Sequence, residues 1–407
     1  MSIRAAQMVH YQGTTRVLRA QNIGISNFNI PTEKVGEVGR DETLETTFET
    51  PDLTYDVESW DMTTRFEEKL VRSAALTSGQ HVVFDDACPQ DWVSPWTLRR
   101  GSRAVEGGYA APYTILERAQ YRFTNTAASS QTFTFKGDGA FFVPEGTPRS
   151  QEFTKAGTGP YSFDDTAKKT VLIGQDVYAL NVTAMNDDGT YRRLRRGDDY
   201  TDTSTGFTLT ASANTELADT VNKLAVVYGT AVKDTIVDAT DDPGITVVPS
   251  QVKGKHVDLY VGTAAATPTL VRWPGVQSYE AGWSVSYEED RELGNLYAVA
   301  RDYDEAQVSG SITVRAMDVD AIMALYTQIT GATAGDILNS ETAPPLALHA
   351  RIRNPQNSSQ VLKTIVVEDA RINISATQGR TRQKTDVSFP FNGDSGVMKV
   401  YNGQAPF

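Results

Sequence analysis

The sequence predicts a mainly β protein: two tandem β-sandwich or barrel units, each carrying one short α-helix, with a small β-sandwich inserted between them. Three observations carry that prediction. A Phe-x-Phe-x-Gly-Asp block occurs twice, as "TFTFKGDGAFF" at 131–141 and "SFPFNGDSGVM" at 388–398. Around each copy, apolar and polar residues alternate with the period of two that half-buried strands require. Residues from about 144 to 250 match neither copy.

The repeat extends well beyond the opening pair, in the same block order in both halves. "VHYQGTTRVLRAQNI" from Val9 matches "VDLYVGTAAATPTLVRWPGV" from Val257, aligning Tyr11-x-Gly13-Thr14 with Tyr260-x-Gly262-Thr263 and Leu18-Arg19 with Val271-Arg272. Glu37 and Gly39 then fall on Glu292 and Gly294. Leu53, Tyr55 and Val57 alternate with polar residues, as do Val308, Ile312 and Val314 around Gly310, so both segments are strands. A change of period follows. Asp61 and Asp318 are placed as N-caps, and the apolar stripes Met62-Phe66-Leu70 and Val319-Ile322-Met323-Tyr326 predict one helix in each half. Ala119-Tyr121-Phe123 and Ala370-Ile372-Ile374 restore the strand period ahead of the signature block, whose Phe135, Gly137 and Asp138 align with Phe391, Gly393 and Asp394. Each Gly-Asp pair is expected at a strand end, with Gly supplying a positive φ and Asp bonding its own turn.

The unmatched segment opens with "PEGTPRSQEFTKAGTGPYS" and closes with "VDATDDPGITVVPS", both linker-like. Short alternating stretches with turn signals lie between them, which predicts a small all-β sandwich. The expected domains are therefore 1–143, 144–250 and 251–407.

Composition excludes several classes. The 407 residues, 40 % hydrophobic, suffice for packed cores and for two or three domains. A formal charge of -13, from 51 acidic and 38 basic residues, argues against a protein that grips nucleic-acid phosphates. The basic residues are 25 Arg and 13 Lys, and this acidic, Arg-over-Lys balance suits a salt-rich habitat. No signal peptide and no membrane span are expected. One cysteine, Cys88, permits no internal disulfide, so stability must come from packing or assembly.

No catalytic constellation emerges. His10, His81, His256 and His349 are scattered outside any zinc or triad spacing. "HVVFDDAC", with His81, Asp85, Asp86 and Cys88, reads as a surface loop in preference to a metal site, and "NDDG" at 186–189 as a turn. The cluster Arg192, Arg193, Arg195 and Arg196 is flanked by Asp187, Asp188, Asp198 and Asp199, which suits a hairpin that balances its own charge. No enzyme activity, cofactor or metal is expected.

The order of blocks, the duplication and the stretch "NIPTEKVGEVGRDETLETTFETPDLTYDVESWDMTTRFEEKL" resemble the major tail (tube) proteins of long-tailed, siphovirus-like viruses, of the type whose tube unit is tandemly duplicated and carries an extra β domain. The extra domain departs from that pattern by lying between the repeats. The resemblance implies a virion structural protein made in the host cytoplasm, forming trimeric rings of pseudo-sixfold symmetry that stack into a tail tube. Its partners would be further copies of itself and tail terminator, baseplate or tape-measure proteins, with double-stranded DNA passing through unbound. An archaeal host from a salt-rich habitat would fit the composition. Lumen or ring-interface acids are expected among Glu37, Asp41, Glu42, Glu45, Glu49, Glu288, Glu289, Asp302, Asp304 and Glu305. Long loops at 72–112 and 327–346 would bridge to the next ring or subunit. Other virion parts (terminator, hub, decoration), a β-sandwich adhesion protein and an enzyme on a β scaffold remain as alternatives.

Overall fold

A computed structural model of the chain describes residues 8–30, 32–36, 43–48, 51–72, 75–97, 104–125, 127–172, 175–186, 191–217, 221–235, 251–263, 270–290, 298, 300–315, 345–372 and 386–406. The fold is mainly β. Its largest sheet links seventeen strands, eight of which form one continuous run. In spatial order these are Ala20–Asn29, Asp52–Ser59, Ser130–Gly137, Gly107–Thr124, Val276–Ser284, Gln307–Arg315, Asp386–Gly393 and Asn357–Ile372, with every ladder of the run antiparallel.

The last four strands of the run repeat the first four. Phe133 and Phe135 lie opposite Val57 and Tyr55, and Phe389 and Phe391 lie opposite Ile312 and Gly310. Gly310 therefore occupies the position of Tyr55, and a Cβ there would fall 2.4 Å from Cζ of Phe391, so the missing side chain is what admits that ring. The other nine strands form a further layer of ladders that extends the sheet from Gly107–Thr124 and from Asn357–Ile372. Tyr11–Gln12 pairs with Gln90–Trp96 in the first half, and Val257–Thr263 pairs with Leu346–Asn354 in the second. This layer corrects one sequence alignment. Arg16 faces Tyr11 and Arg272 faces Tyr260, so Thr15-Arg16, and not Leu18-Arg19, is the equivalent of Val271-Arg272.

Strand alternation sends one set of side chains into a core shared by both halves. Leu53, Tyr55, Val57, Phe133 and Phe135 from the first half and Val308, Ile312, Val314, Phe389 and Phe391 from the second belong to it. The helix Arg65–Leu70 lies over this apolar face, with Phe66 stacked 4.4 Å from Phe133 and 6.1 Å from Trp92. Asp61 does not cap it. Its carboxylate accepts from Thr63 N in the preceding turn at 3.1 Å, and the cap position belongs to Thr64, whose hydroxyl donates to Glu68 Oε1 at 2.7 Å. The second helix expected after Asp318 lies outside the described residues.

Two further expectations give way. Much of 72–112 is not a loop: His81–Val83, Gln90–Trp96 and the start of Gly107–Thr124 are strands, and Trp92, Val93 and Ala111 are buried. His81–Val83 pairs with Lys399–Tyr401, so the bridge it makes is to the second half of its own chain. The Gly-Asp pairs do not form turns of positive φ either, because neither Gly137 nor Gly393 has one. A Cβ on Gly137 would lie 2.9 Å from Thr114 Cγ2, and one on Gly393 3.1 Å from Val308 Cβ, so close packing is what requires glycine.

Two buried histidines set an acid limit on this core. His10 Nδ1 lies 2.9 Å from Ser94 Oγ and 3.2 Å from Tyr55 OH, and burial lowers its pKa to about 4. His349 is likewise lowered to about 4, by burial first and the Arg351 charge second. Above pH ~6.5 both are neutral whether folded or not. Between ~6.5 and ~4 the unfolded chain takes up protons that the folded chain refuses, so stability falls through that window and levels off below it, by roughly 3 kcal/mol per histidine. Denaturant unfolding from pH 7 to pH 4 should show that loss, and His10→Gln should flatten about half of it.

The inserted segment has its own core, built on Tyr161, Phe163, Val182, Phe207, Val226 and Tyr228. A four-stranded sheet (Thr147–Thr154, Val221–Thr230, Ala179–Asn186, Tyr191–Arg193) and a three-stranded one (Tyr161–Ser162, Gly206–Leu209, Tyr200–Thr203) enclose it. It is not all β, since Ala211–Glu216 is helical, with Thr210 Oγ1 accepting from Ala213 N. Threonine followed by an Ala- and Ser-rich run was the signal for that helix.

Candidate assembly surface

The two halves join edge to edge. Arg118–Thr124 pairs with Ser278–Ser284 in antiparallel register, setting Thr124 opposite Ser278 and Arg118 opposite Ser284. Apolar side chains fill the seam. Tyr279 lies parallel to Phe123 at 6.1 Å, and Trp283 sits 5.6 Å from Phe84 and donates its indole N–H to Asp85 Oδ1 at 3.2 Å. Burial raises the pKa of that carboxyl above the ordinary carboxylate value, with the Trp283 bond opposing the shift. Across the seam Gln120 Nε2 donates to Glu280 Oε1.

The duplication carries both sides of this seam to the ends of the run. Ala20–Asn29 is the equivalent of Val276–Ser284, and among the described residues it pairs only with Asp52–Ser59. Matching registers set Ile23, Ile25 and Phe28 where the second half has Tyr279, Ala281 and Trp283, since Ile23, Ile25 and Phe28 face Val57, Tyr55 and Leu53. The two environments differ sharply. Trp283 is 1 % exposed, whereas Phe28 is 42 % and the neighbouring Ile30 45 % exposed. At the far end of the run, Ile372 faces Phe391 as Leu116 faces Phe135, so the second-half counterpart of the seam segment Arg118–Thr124 follows Ile372 and lies outside the described residues. An open edge lined with apolar residues invites another strand.

The face of the run opposite the core is polar. It carries Thr54, Asp56 and Glu58, then Thr132, Thr134 and Lys136, and across the seam Ser278 and Glu280. Two of its cations are set near acceptors. Lys136 Nζ donates to Thr54 Oγ1 at 2.9 Å and lies 3.7 Å from Asp52, while Arg122 is set opposite Glu280.

These are not the acids singled out from sequence. Of those, Glu37, Asp41, Glu42 and Glu49 lie outside the described residues, as do Gly39 and Gly294. Glu45 lies in the hairpin Thr32–Gly36/Thr43–Phe48, opposite Val35. The hairpin Tyr287–Asp290/Ala300–Tyr303 brings Glu288 opposite Asp302 and Glu289 opposite Arg301. Asp304 at its base accepts from Ser286 Oγ at 2.7 Å. Glu305 lines a cleft of about 440 Å³ with Glu117, Arg118 and Trp283. The second hairpin thus gathers Glu288, Glu289 and Asp302, while Glu305 borders Ser284, Gln307 and Ser309 of the run. Alternate positions of the strand already read around Leu53, Tyr55 and Val57 would have found Asp56 and Glu58.

Asp138 has a different role from the expected self-bonded turn. It is fully buried, with Oδ1 accepting from Arg193 Nη1 of the inserted segment at 2.8 Å and Oδ2 accepting from Ala298 N of the second half at 2.9 Å. Arg193 also donates from Nε to Asn181 Oδ1 at 2.6 Å and lies over the Tyr113 ring. Its counterpart Asp394 is exposed and pairs with Arg371 of its own half. The other arginines of the cluster do balance their own charge, Arg192 with Glu216, Arg195 with Asp198 and Arg196 with Asp202. Cys88, His81 and the neighbouring acids do not converge, and no group of three or more metal-ligating side chains occurs among the described residues. No helix among them is long and apolar enough to cross a membrane.

No protein-family model matches the chain, and no curated protein matches it. Among solved structures it is similar to the cryo-EM structure of an anti-feeding prophage cap, a tube terminating cap, at 10 % identity and a TM-score of 0.28, over 35 % of this chain and 92 % of that one.

Proposed function

We propose that the chain is a structural subunit of a virus-type tail tube, in which copies pair head to tail through their open edges, close into rings and stack into a conduit for genome delivery. The observation that carries this reading is the internal seam. One of its sides recurs at Ala20–Asn29, which pairs on one edge among the described residues, and the counterpart of the other follows Ile372 in sequence, so the end of one copy's run would fit the strand Ala20–Asn29 of the next. A contact between two different edges is heterologous, and it forms a ring if its rotation closes. The internal seam is one step of that rotation. Three chains would supply six equivalent units, the form implied by the resemblance to duplicated tube proteins.

On this reading the polar face of the run lines the lumen. Hydroxyls and carboxylates interspersed with the cations there would give duplex DNA few counterion-releasing contacts, letting it slide. The role is mechanical and not enzymatic, exercised in the virion tail, with other copies, a terminator, baseplate parts and a tape measure as partners.

Electron microscopy of the purified chain, together with its mass in solution, tests the reading. Rings of three chains with six near-equal lobes, or stacked tubes wide enough for duplex DNA, are the expected result. A monomer that never associates, even concentrated in high salt, would overturn it and favour an adhesion or accessory role.

A further inference from the structure

We propose that the inserted domain braces the second-half hairpin, with Asp138 as the shared joint, so that the docking of one and the position of the other are coupled. One buried carboxylate serves three parts of the chain: it belongs to the first half, holds the guanidinium of Arg193 from the insert on Oδ1, and holds the backbone N–H of Ala298, from the segment joining the hairpin strands Tyr287–Asp290 and Ala300–Tyr303, on Oδ2. Arg193 is itself fixed from behind by Asn181 and by the Tyr113 ring. The insert is further held by Arg72 of the first half, which bonds Glu152 at 3.1 Å and Pro89 O at 3.2 Å and lies over the Tyr191 ring.

The coupling follows from the electrostatics of a buried acid. The guanidinium of Arg193 holds Oδ1, and so fixes the orientation in which Oδ2 faces Ala298 N. Without it the buried carboxylate loses a partner, and the rotation or water entry that would replace that partner weakens the bond that positions the hairpin. The second half offers no such joint, because Asp394 is exposed and bonded within its own half. The insert therefore acts on one hairpin of the duplicated pair, and a load or ligand on the insert is transmitted to it. Arg193 is a positioning residue. The inference does not depend on ring formation.

Hydrogen exchange of the full-length chain tests it. Arg193→Met should speed exchange in Tyr287–Asp290 and Ala300–Tyr303 about tenfold or more, while the insert strand Val221–Thr230 and the core strand Asp52–Ser59 keep their protection. Arg193→Lys, which can still reach the carboxylate, should restore part of it. Asp138→Asn keeps the shape but cannot accept from both donors, so it should give the same local effect if the methionine variant folds poorly. Arg192→Met, which removes pairs internal to the insert, should leave the hairpin unchanged. Hairpin exchange equal to wild type in both Arg193→Met and Asp138→Asn would overturn the proposal, as would acceleration spread evenly over all strands.

Discussion

Phe28→Asp should abolish self-association while leaving the monomer folded. Phe28 is 42 % exposed in the single chain, so losing it there should cost about 1 kcal/mol or less. In an assembly it occupies the place that Trp283 occupies at the internal seam, where burial is nearly complete. An aspartate buried there loses roughly 2–3 kcal/mol of apolar transfer and adds the cost of desolvating a carboxylate, which together weaken association more than a hundredfold. Sedimentation and thermal unfolding measured on the same sample separate the two effects. The matched variant Trp283→Asp should do the reverse, unfolding the chain by about 3–5 kcal/mol because that seam is already closed within the monomer. If Phe28→Asp assembled like wild type, the edge Ala20–Asn29 would not be the contact.

Much of this arrangement was legible in the sequence, and the limits of that reading are physical. The period of two around Leu53, Tyr55 and Val57 and around Ala119, Tyr121 and Phe123 gave the strands, because burial on one face forces it. The duplicated Phe-x-Phe block marked the third strand of each half, where both rings enter the shared core. Partners across space were not legible. Nothing local to "FKGDG" says that its aspartate will meet an arginine 55 residues away and a backbone amide 160 residues away. The glycine beside it was misread for the same reason, since its neighbours Thr114 and Leu53 come from other strands.

The segment at 72–112 shows a second limit. Its strand Gln90–Trp96 is covered throughout, so the polar and apolar alternation that betrays a strand is absent there, and His81–Val83 is only three residues long. The acids of the hairpin stood out by charge density, yet charge density does not tell a hairpin from a sheet face. The polar wall is made of threonines, serines and lone charges spaced two apart, a weaker signal than a cluster.

A buried ion pair makes the largest stability prediction. Lys363 and Glu67 are each fully buried and bonded to one another, although 296 residues separate them. Glu67 Oε1 also accepts from Tyr121 OH at 2.6 Å, and Lys363 donates to Gln131 Oε1 at 2.9 Å, so the second half is tied to the helix, long strand and Phe-x-Phe strand of the first. Satisfaction is incomplete, with Glu67 Oε2 and Gln131 Nε2 buried without a partner. Such a pair contributes little net stability but is costly to break. Lys363→Met or Glu67→Met alone should therefore cost roughly 3–5 kcal/mol by leaving one charge buried and unpaired. The double variant, with two methionines filling similar volume, should recover most of that loss or exceed wild type. Chemical denaturation of the four proteins closes the cycle. Additive losses in the double variant would mean that Lys363 and Glu67 act separately, and that the halves are held by the strand seam and the shared apolar core alone.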